Sequence, residues 1–191
     1  MLELAVLGLL HDAPMHGYEL WKRLHETLGA FRAFSCGTLY PTLRRLQRSG
    51  LIEEAGDPAG RSWGRRARRV YRITSTGEKR FTELIDDCGP RACGDDAFDV
   101  HVAFFSRTPA STRLRILEGR RRRVEERRED LRARLAGQRL DHYTLELHRL
   151  GLDHSEREVR WLNSIIENER ADQTAAGGDQ TGSQQSQGHD R

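Results

Sequence analysis

The sequence predicts a mainly α-helical chain with one small β-hairpin, an α+β fold class. Apolar residues recur at intervals of three and four through most of the 191 residues, which is the periodicity of helices with one buried face. The exception is RRVYRIT, in which apolar and polar side chains alternate as they do in a strand. LIEEA precedes it, and a segment rich in Gly and Arg separates the two, so the pair is typical of a hairpin with a basic loop.

The composition argues against a membrane protein. Charged residues make up 32% of the chain, and no apolar run approaches the roughly 18 residues that a membrane span requires. The apolar N-terminus contains Glu3 and follows no basic segment, which argues against a secretory signal. Three cysteines are an odd number for a chain without an export signal, so we expect a reduced, cytoplasmic protein with no membrane partner.

The N-terminal part of the chain contains four helical patterns and the hairpin. Helices are predicted over 2–11 and 16–28, a third begins near Thr38, and a fourth follows the hairpin. Thr74 or Ser75 caps this fourth helix, and Glu78 is predicted to complete a capping box with Ser75. Two helices, a turn, a third helix and a hairpin form the order of a winged helix-turn-helix. In that fold the third helix enters the major groove of DNA, and the hairpin, or wing, contacts the backbone or the minor groove.

The third predicted helix has two unlike faces. Leu39, Leu43 and Leu46 fall on one side when successive residues are turned by about 100°. Pro41 is tolerated because backbone N–H groups in the first helical turn have no helical partner. The opposite side and the helix N-terminus suit contacts with phosphate, and they carry Thr38, Tyr40, Arg44, Arg45 and Arg48.

Positive charge is concentrated in the same region. The net charge of the chain is only +3, but residues 35–82 hold 11 Lys or Arg against 4 Asp or Glu. Such an uneven distribution is typical of a face held against phosphates, and guanidinium groups suit bidentate contacts with phosphate and guanine. The predicted wing contributes Arg61, Arg65, Arg66, Arg68 and Arg69.

The sequence divides into four predicted segments. A winged helix-turn-helix domain occupies 1–88, a linker 89–96, and a helical dimerisation and effector domain 97–173. This second domain is predicted to hold a long helix that ends at Gly137, followed by two shorter helices, LDHYTLELHRLGL and SEREVRWLNSIIENER. A capping box of Ser155 and Glu158 is predicted to open the second of these. The tail, 174–191, has almost no apolar residue and is expected to be disordered.

The long helix has apolar residues near heptad spacing. Such a seam favours packing against a partner helix, either in a second protomer or within the same chain. The run RRRR within this helix precedes VEERRED, so acidic partners four residues away predict a solvated face rather than a second DNA site. The predicted dimer interface consists of Leu114, Leu117, Val124, Leu131 and Leu135.

Other chemistries lack their motifs. Cys88, Cys93 and His101 have no fourth ligand at suitable spacing, so no metal site is predicted. Cys36 lies where a helix dipole favours thiolate, and it is either redox-sensitive or inert. GDPAGRS lacks the glycine spacing and the lysine of a phosphate loop, and no G-x-S-x-G occurs. We therefore predict that the protein is not an enzyme and has no cofactor.

Three blocks in order resemble the PadR family of bacterial transcriptional regulators. These are LGLLHDAPMHGYEL, GTLYPTLRRLQRSGLI and RRVYRITSTGEKRF. The helical second half resembles the dimerisation region of that family through weaker motifs. The wing departs from the family pattern, since GDPAGRSWGRRAR is long and unusually rich in arginine.

The resemblance implies a homodimeric repressor that binds double-stranded DNA at an inverted-repeat operator built on ATGT and ACAT. By motif position, Tyr18 of HGYE and the third helix carry the DNA contacts. Together with the wing arginines, the predicted DNA-binding residues are Tyr18, Ser35, Thr38, Tyr40, Thr42, Arg44 and Arg45.

The family also implies release by a small aromatic or amphipathic effector bound near the dimer interface. The aromatic residues assigned to such a pocket are Phe104, Phe105 and Trp161, and core packing is the alternative role for each.

A second functional hypothesis is a winged-helix module that binds protein without reading DNA. Fold does not settle function, so the outward chemistry of the third helix must decide between the two. A protein-binding helix is expected to present apolar anchors, whereas this one presents arginines.

Overall fold

A computed structural model describes residues 1–29, 36–55, 69–137 and 139–178. The chain forms two compact units. The first combines Met1–Asp87 with Asp95–Thr108, and the second combines Cys88–Gly94 with the chain from Pro109 onward. Within the described residues, none of the helices combines the length and the apolar character that crossing a membrane requires.

The first unit has the predicted order of helices and hairpin. Its helices are α1 (Leu2–Asp12), α2 (Gly17–Leu28), α3 (Cys36–Arg48), α4 (Ser75–Asp86) and α5 (Phe98–Ala103), and a 3₁₀ turn follows at Phe105–Arg107. Its strands are β1 (Met15–His16), β2 (Ile52–Ala55) and β3 (Val70–Ile73), in an antiparallel sheet of order β1-β3-β2. The mainly helical fold class with a winged helix-turn-helix is therefore confirmed, while the two-residue strand β1 was not predicted.

The core of the first unit is built around α1. All seven residues from Leu4 to Leu10 are buried, because this helix has neighbours on several sides rather than one buried face. Gly8 has no room for a side chain, since a Cβ there would lie 2.3 Å from Cε1 of Phe104. α5 brings Phe104 into this core together with Val100. The compact units therefore divide the chain differently from the predicted domains, which assign residue 97 onward to the helical domain.

Thr74 caps α4. Its hydroxyl oxygen accepts a hydrogen bond from the Gly77 backbone N–H at 3.1 Å, and the hydroxyl donates to the Gly50 carbonyl at 2.6 Å. This resolves the choice between Thr74 and Ser75 as the cap, and it removes the capping box expected between Ser75 and Glu78. Gly50 itself has φ of +68°, a left-handed conformation that favours glycine at the turn into β2.

Two long helices dominate the second unit, α6 (Ala110–Gly137) and α7 (His142–Gly178). The prediction of two helices after Gly137 was wrong, since α7 is continuous. Gly151, near the end of the first of those predicted helices, packs against Leu131, and a Cβ there would lie 3.3 Å from Cδ1 of that leucine. Ser155, expected to cap a new helix, donates its hydroxyl hydrogen to the Gly151 carbonyl within the same helix. α7 also extends to Gly178, beyond residue 174 where the disordered tail was predicted to begin.

Ion pairs join α6 to α7 along their length. Arg113 donates to both carboxylate oxygens of Glu169, with nitrogen–oxygen distances of 2.8–3.0 Å. Arg120, which is 8% exposed, donates from Nε to Glu158 at 2.6 Å. Arg120 is the first residue of the run RRRR, and the prediction of a solvated face with partners four residues away was wrong for it, because it is buried and pairs with α7.

Candidate nucleic-acid interface

α3 places its leucines inward and its arginines outward. Leu39, Leu43 and Leu46 are at most 1% exposed. The helix begins at Cys36, two residues before the predicted start, so Pro41 is its sixth residue and lies in the second turn. We define the recognition face as the exposed residues Thr38, Tyr40, Arg44 and Arg48.

Tyr40 is held at one edge of the recognition face by α2. It is 45% exposed, and its ring lies directly over Gly17, where an added Cβ would be 3.2 Å from Cε1 of Tyr40 and 3.6 Å from Cε2 of Tyr71. Burial raises the pKa of Tyr71, and the Glu54 carboxylate raises it further, so this phenol stays neutral. A tyrosine pair packed over a glycine thus joins α2, α3 and β3 beside the recognition face.

Tyr18 lies on α2 and is 70% exposed. Its ring stacks on Trp21 with 6.0 Å between the centroids, and Trp21 packs on His25 at 4.2 Å. The family resemblance assigned Tyr18 to DNA contact. The structure leaves Tyr18 open to solvent and Trp21 half-buried against the core.

The arginines of α3 have different partners. Arg45 donates from Nη1 to Oε2 of Glu3 at 2.9 Å, and Arg48 donates from Nε to the Arg44 carbonyl at 3.3 Å. Arg44 is exposed and makes no ion pair with any other described residue. Of the two arginines assigned to DNA contact from the motif, Arg44 therefore presents an open guanidinium, and Arg45 is already paired.

Thr42 is half-buried, and its hydroxyl donates to the Thr38 carbonyl at 2.9 Å. This bond lies within the helix and satisfies the hydroxyl without an outside partner. Ser35 lies outside the described residues, and so does the side chain of Cys36.

The hairpin pairs its described arginines with acidic residues of β2. Arg69 donates to Glu54 at 2.7 Å, and Glu54 also accepts from Gln47 of α3 at 3.3 Å. Arg72 is opposite Glu53 in the strand register and donates to it from Nε at 3.0 Å. The remaining wing residues assigned to DNA, Arg61, Arg65, Arg66 and Arg68, lie outside the described residues.

The predicted heptad seam is largely covered within the chain. Leu117 and Val124 are 0% exposed, so their side chains have no surface to offer a second protomer in this arrangement. Leu114, Leu131 and Leu135 are half-buried. Packing within the chain, the alternative reading of the seam, therefore accounts for its two central positions.

An apolar stripe on α7 was missed. Tyr143, Leu147 and Leu150 follow one another at spacings of four and three, and they are 82%, 66% and 61% exposed. We call these three residues the α7 stripe. The same spacing is present in LDHYTLELHRLGL, but the predicted dimer interface was assigned to the heptad-spaced residues of the preceding helix instead.

The three residues assigned to an effector pocket have unlike environments. Phe104 is 5% exposed in the core of the first unit, with its ring edge-on to Phe81 at 5.8 Å between centroids. That burial favours core packing, the alternative role for Phe104, and its pocket assignment stays a prediction. Phe105 is half-buried in the 3₁₀ turn, and Trp161, in the second unit, is 44% exposed.

The described residues contain no group of three or more His, Cys, Asp or Glu side chains placed to hold a metal ion. Cys88 and Cys93 are free thiols.

Several proteins of known structure are similar to this chain. Bacillus subtilis PadR in complex with operator DNA has a TM-score of 0.43 and 21% identity, over 88% of this chain and 98% of that one. The PadR-like transcriptional regulator BC1756 of Bacillus cereus has a TM-score of 0.38 and 22% identity, over 90% of this chain and 99% of that one.

Sequence comparison identifies the family. Transcriptional regulator Rv3488 of Mycobacterium tuberculosis is 41% identical over 80 residues, which make up 40% of this chain and 68% of the relative. The model of the transcriptional regulator PadR-like family matches residues 6–83, from α1 into α4. This is a family of transcriptional regulators and not of enzymes. The chain belongs to the PadR-like family of transcriptional regulators.

Proposed function

We propose that this regulator is a homodimeric repressor that reads an inverted-repeat operator with α3. The observation that carries the proposal is the recognition face, where Arg44 is exposed without an acidic partner among the described residues. An exposed guanidinium on a helix of this kind suits bidentate contact with guanine or phosphate. Family membership places that helix in a transcriptional regulator, which gives this chemistry a DNA target.

The tyrosines and the wing supply positioning contacts in this proposal. Tyr18 and Tyr40 are exposed on neighbouring helices, and their hydroxyls suit hydrogen bonds to phosphate oxygens, which fix the register of a protein on the duplex. The arginine-rich wing suits the flanking backbone. Arg45 is left out of the proposed base contacts because Glu3 already accepts its hydrogen bond.

The α7 stripe is the surface proposed for the second copy of the chain. Exposed large apolar residues at heptad-like spacing on a helix are costly in water and favour a matching helix. A two-fold operator requires a two-fold protein, and an isologous contact places the same stripe on both protomers. Release by a small aromatic or amphipathic effector stays a prediction from the family resemblance.

The proposal is tested by selecting bound duplexes from a random-sequence pool. A selected duplex and a scrambled duplex of equal composition are then titrated by fluorescence anisotropy at several salt concentrations. We expect enrichment of a two-fold symmetric sequence. We also expect the logarithm of the binding constant to fall with the logarithm of salt, with a slope of about −0.9 for each phosphate neutralised.

The other outcomes contradict the proposal in different ways. Equal binding to both duplexes would remove sequence reading and leave a protein that only tolerates DNA. No binding even at low salt would favour the protein-interaction module, for which the exposed Tyr18 and Tyr40 would be aromatic anchors.

A further inference from the structure

Glu3 lies at the centre of an ion-pair network behind α3. Its Oε2 accepts from Nη1 of Arg45 at 2.9 Å, and its Oε1 accepts from Nε of Arg80 at 3.0 Å. Arg80 in turn donates from Nη1 to Glu83 at 3.0 Å. One carboxylate on α1 thereby joins the recognition helix α3 to α4.

The two ends of the Glu3–Arg45 pair differ in exposure. The Glu3 side chain is 18% exposed, whereas the Arg45 side chain is 53% exposed. Burial works against the charged form of Glu3, but the hydrogen bonds and charges of Arg80 and Arg45 outweigh it and hold the pKa below the ordinary 4.5. The carboxylate is therefore charged at neutral pH. The arginine that it neutralises is still half exposed to solvent, where a DNA phosphate would approach.

We propose that Glu3 is a specificity-determining residue. Its carboxylate binds Arg45 in place of a DNA phosphate and thereby lowers the affinity of the protein for non-specific DNA. This inference rests on the proposed DNA-binding function. Non-specific affinity comes almost entirely from phosphate neutralisation, so any arginine already neutralised within the protein contributes little to it. On the operator, base contacts fix α3 in one register, so a released Arg45 gains a phosphate contact only where that register places one, whereas on scrambled DNA the register is free to adjust.

Glu3→Gln tests the proposal because it removes the charge and keeps the shape of the side chain. Released Arg45 adds one phosphate contact to scrambled DNA, so the salt slope steepens by about 0.9 and affinity rises about fivefold near 0.15 M salt. Affinity for the selected duplex is expected to rise less than twofold. The ratio of specific to non-specific affinity therefore falls.

Glu83→Gln is the matched control. It removes the same charge from another partner of Arg80, but it does not touch Arg45. We expect it to leave both affinities and both salt slopes close to those of the wild type. The double variant Glu3→Gln/Arg45→Ala is expected to return the scrambled-DNA affinity to the wild-type value.

Arg45→Ala provides a second test that does not depend on how the Glu3 variant folds. Because Arg45 is neutralised in the wild type, its loss is expected to change scrambled-DNA affinity less than twofold. A fivefold loss in this variant would overturn the proposal, and so would a Glu3→Gln protein that matches the wild type or raises both affinities equally. If the wild type binds neither duplex, the proposed function fails and this inference fails with it. If the wild type binds and only these variants behave otherwise, the inference alone fails.

Discussion

At the scale of single residues, adjacent arginines acquire different roles from their partners. Arg44 and Arg45 are neighbours in sequence and both were assigned to DNA contact. They differ because Arg45 donates a hydrogen bond to the carboxylate of Glu3, which lies 42 positions earlier in the sequence, and Arg44 does not. An ordinary surface ion pair stabilises a protein by about 1 kcal/mol or less, so this pair matters more for the charge it cancels than for folding.

His101 gives a residue-scale prediction about pH. It is 3% exposed on α5, and its Nδ1 has no hydrogen-bond partner among the residues that the structure describes. Burial lowers the pKa of His101 from the ordinary 6.5, while Asp87 opposes the shift and the N-terminal amine adds to it. The folded protein keeps this imidazole neutral where the unfolded chain takes up a proton. The stability it contributes is complete above pH 6.5 and is lost as pH falls below that value.

Urea unfolding of the wild type and of His101→Gln between about pH 7 and about pH 5 measures this effect. One proton changes the free energy of unfolding by at most about 1.4 kcal/mol per pH unit. The wild type is expected to lose stability relative to the variant as pH falls. If the free energy of unfolding changed equally with pH in both proteins, His101 would not be the source of the stability loss at low pH.

At the scale of elements, the periodicity of apolar residues predicted most helices. Predictions from local sequence failed where contacts with other elements determine the structure. The face of α3 followed directly from the spacing of Leu39, Leu43 and Leu46. β1 was missed because two residues cannot show alternation, and it exists through pairing of Met15 and His16 with β3. The prediction of two separate helices after Gly137 was wrong because α7 continues through Gly151. This glycine allows close packing against Leu131 and does not form a turn.

Gly17→Ala tests how α2 positions α3. The added Cβ would lie 3.2 Å from Cε1 of Tyr40, so the ring has to shift. Moving a side chain from its preferred rotamer costs about 0.5–1.5 kcal/mol, so we expect operator affinity to fall roughly two- to tenfold. Gly137→Ala is the control, since nothing lies within 4 Å of its added Cβ. Unchanged operator affinity in Gly17→Ala would remove Tyr40 from the proposed contacts.

Leu147→Glu/Leu150→Glu tests the α7 stripe. We expect the wild type to have the mass of the proposed dimer and this variant the mass of a monomer, because two carboxylates on each stripe would face like charge across the proposed two-fold axis. Light scattering during gel filtration measures the mass. Arg160→Glu adds a carboxylate at another exposed position of α7 and is expected to remain dimeric. A double variant that keeps the wild-type mass would place the interface elsewhere.

At the scale of the whole molecule, the charge distribution along the sequence does not show which arginines carry a free charge in the folded chain. The excess of positive charge over 35–82 includes Arg45, Arg69, Arg72 and Arg80. Each of these is paired with an acidic residue in the folded chain. A count along the sequence cannot contain those pairings, because they join segments that the fold brings together. The fold was therefore predictable from the sequence, the location of the DNA-binding site stays a prediction, and the arginines left unpaired at that site could not be predicted.

The central claim is that the exposed face of α3 reads DNA, and Arg44→Ala tests it most directly. Arg115→Ala is the matched control, because Arg115 is also an exposed arginine without an ion pair among the described residues, but it lies on α6. Both variants are titrated against the selected operator duplex and the scrambled duplex. Loss of one base-directed arginine is expected to cost about 1–3 kcal/mol, a loss of roughly five- to 150-fold in operator affinity. Arg115→Ala is expected to bind as the wild type does. Equal operator affinities for the two variants would contradict the account.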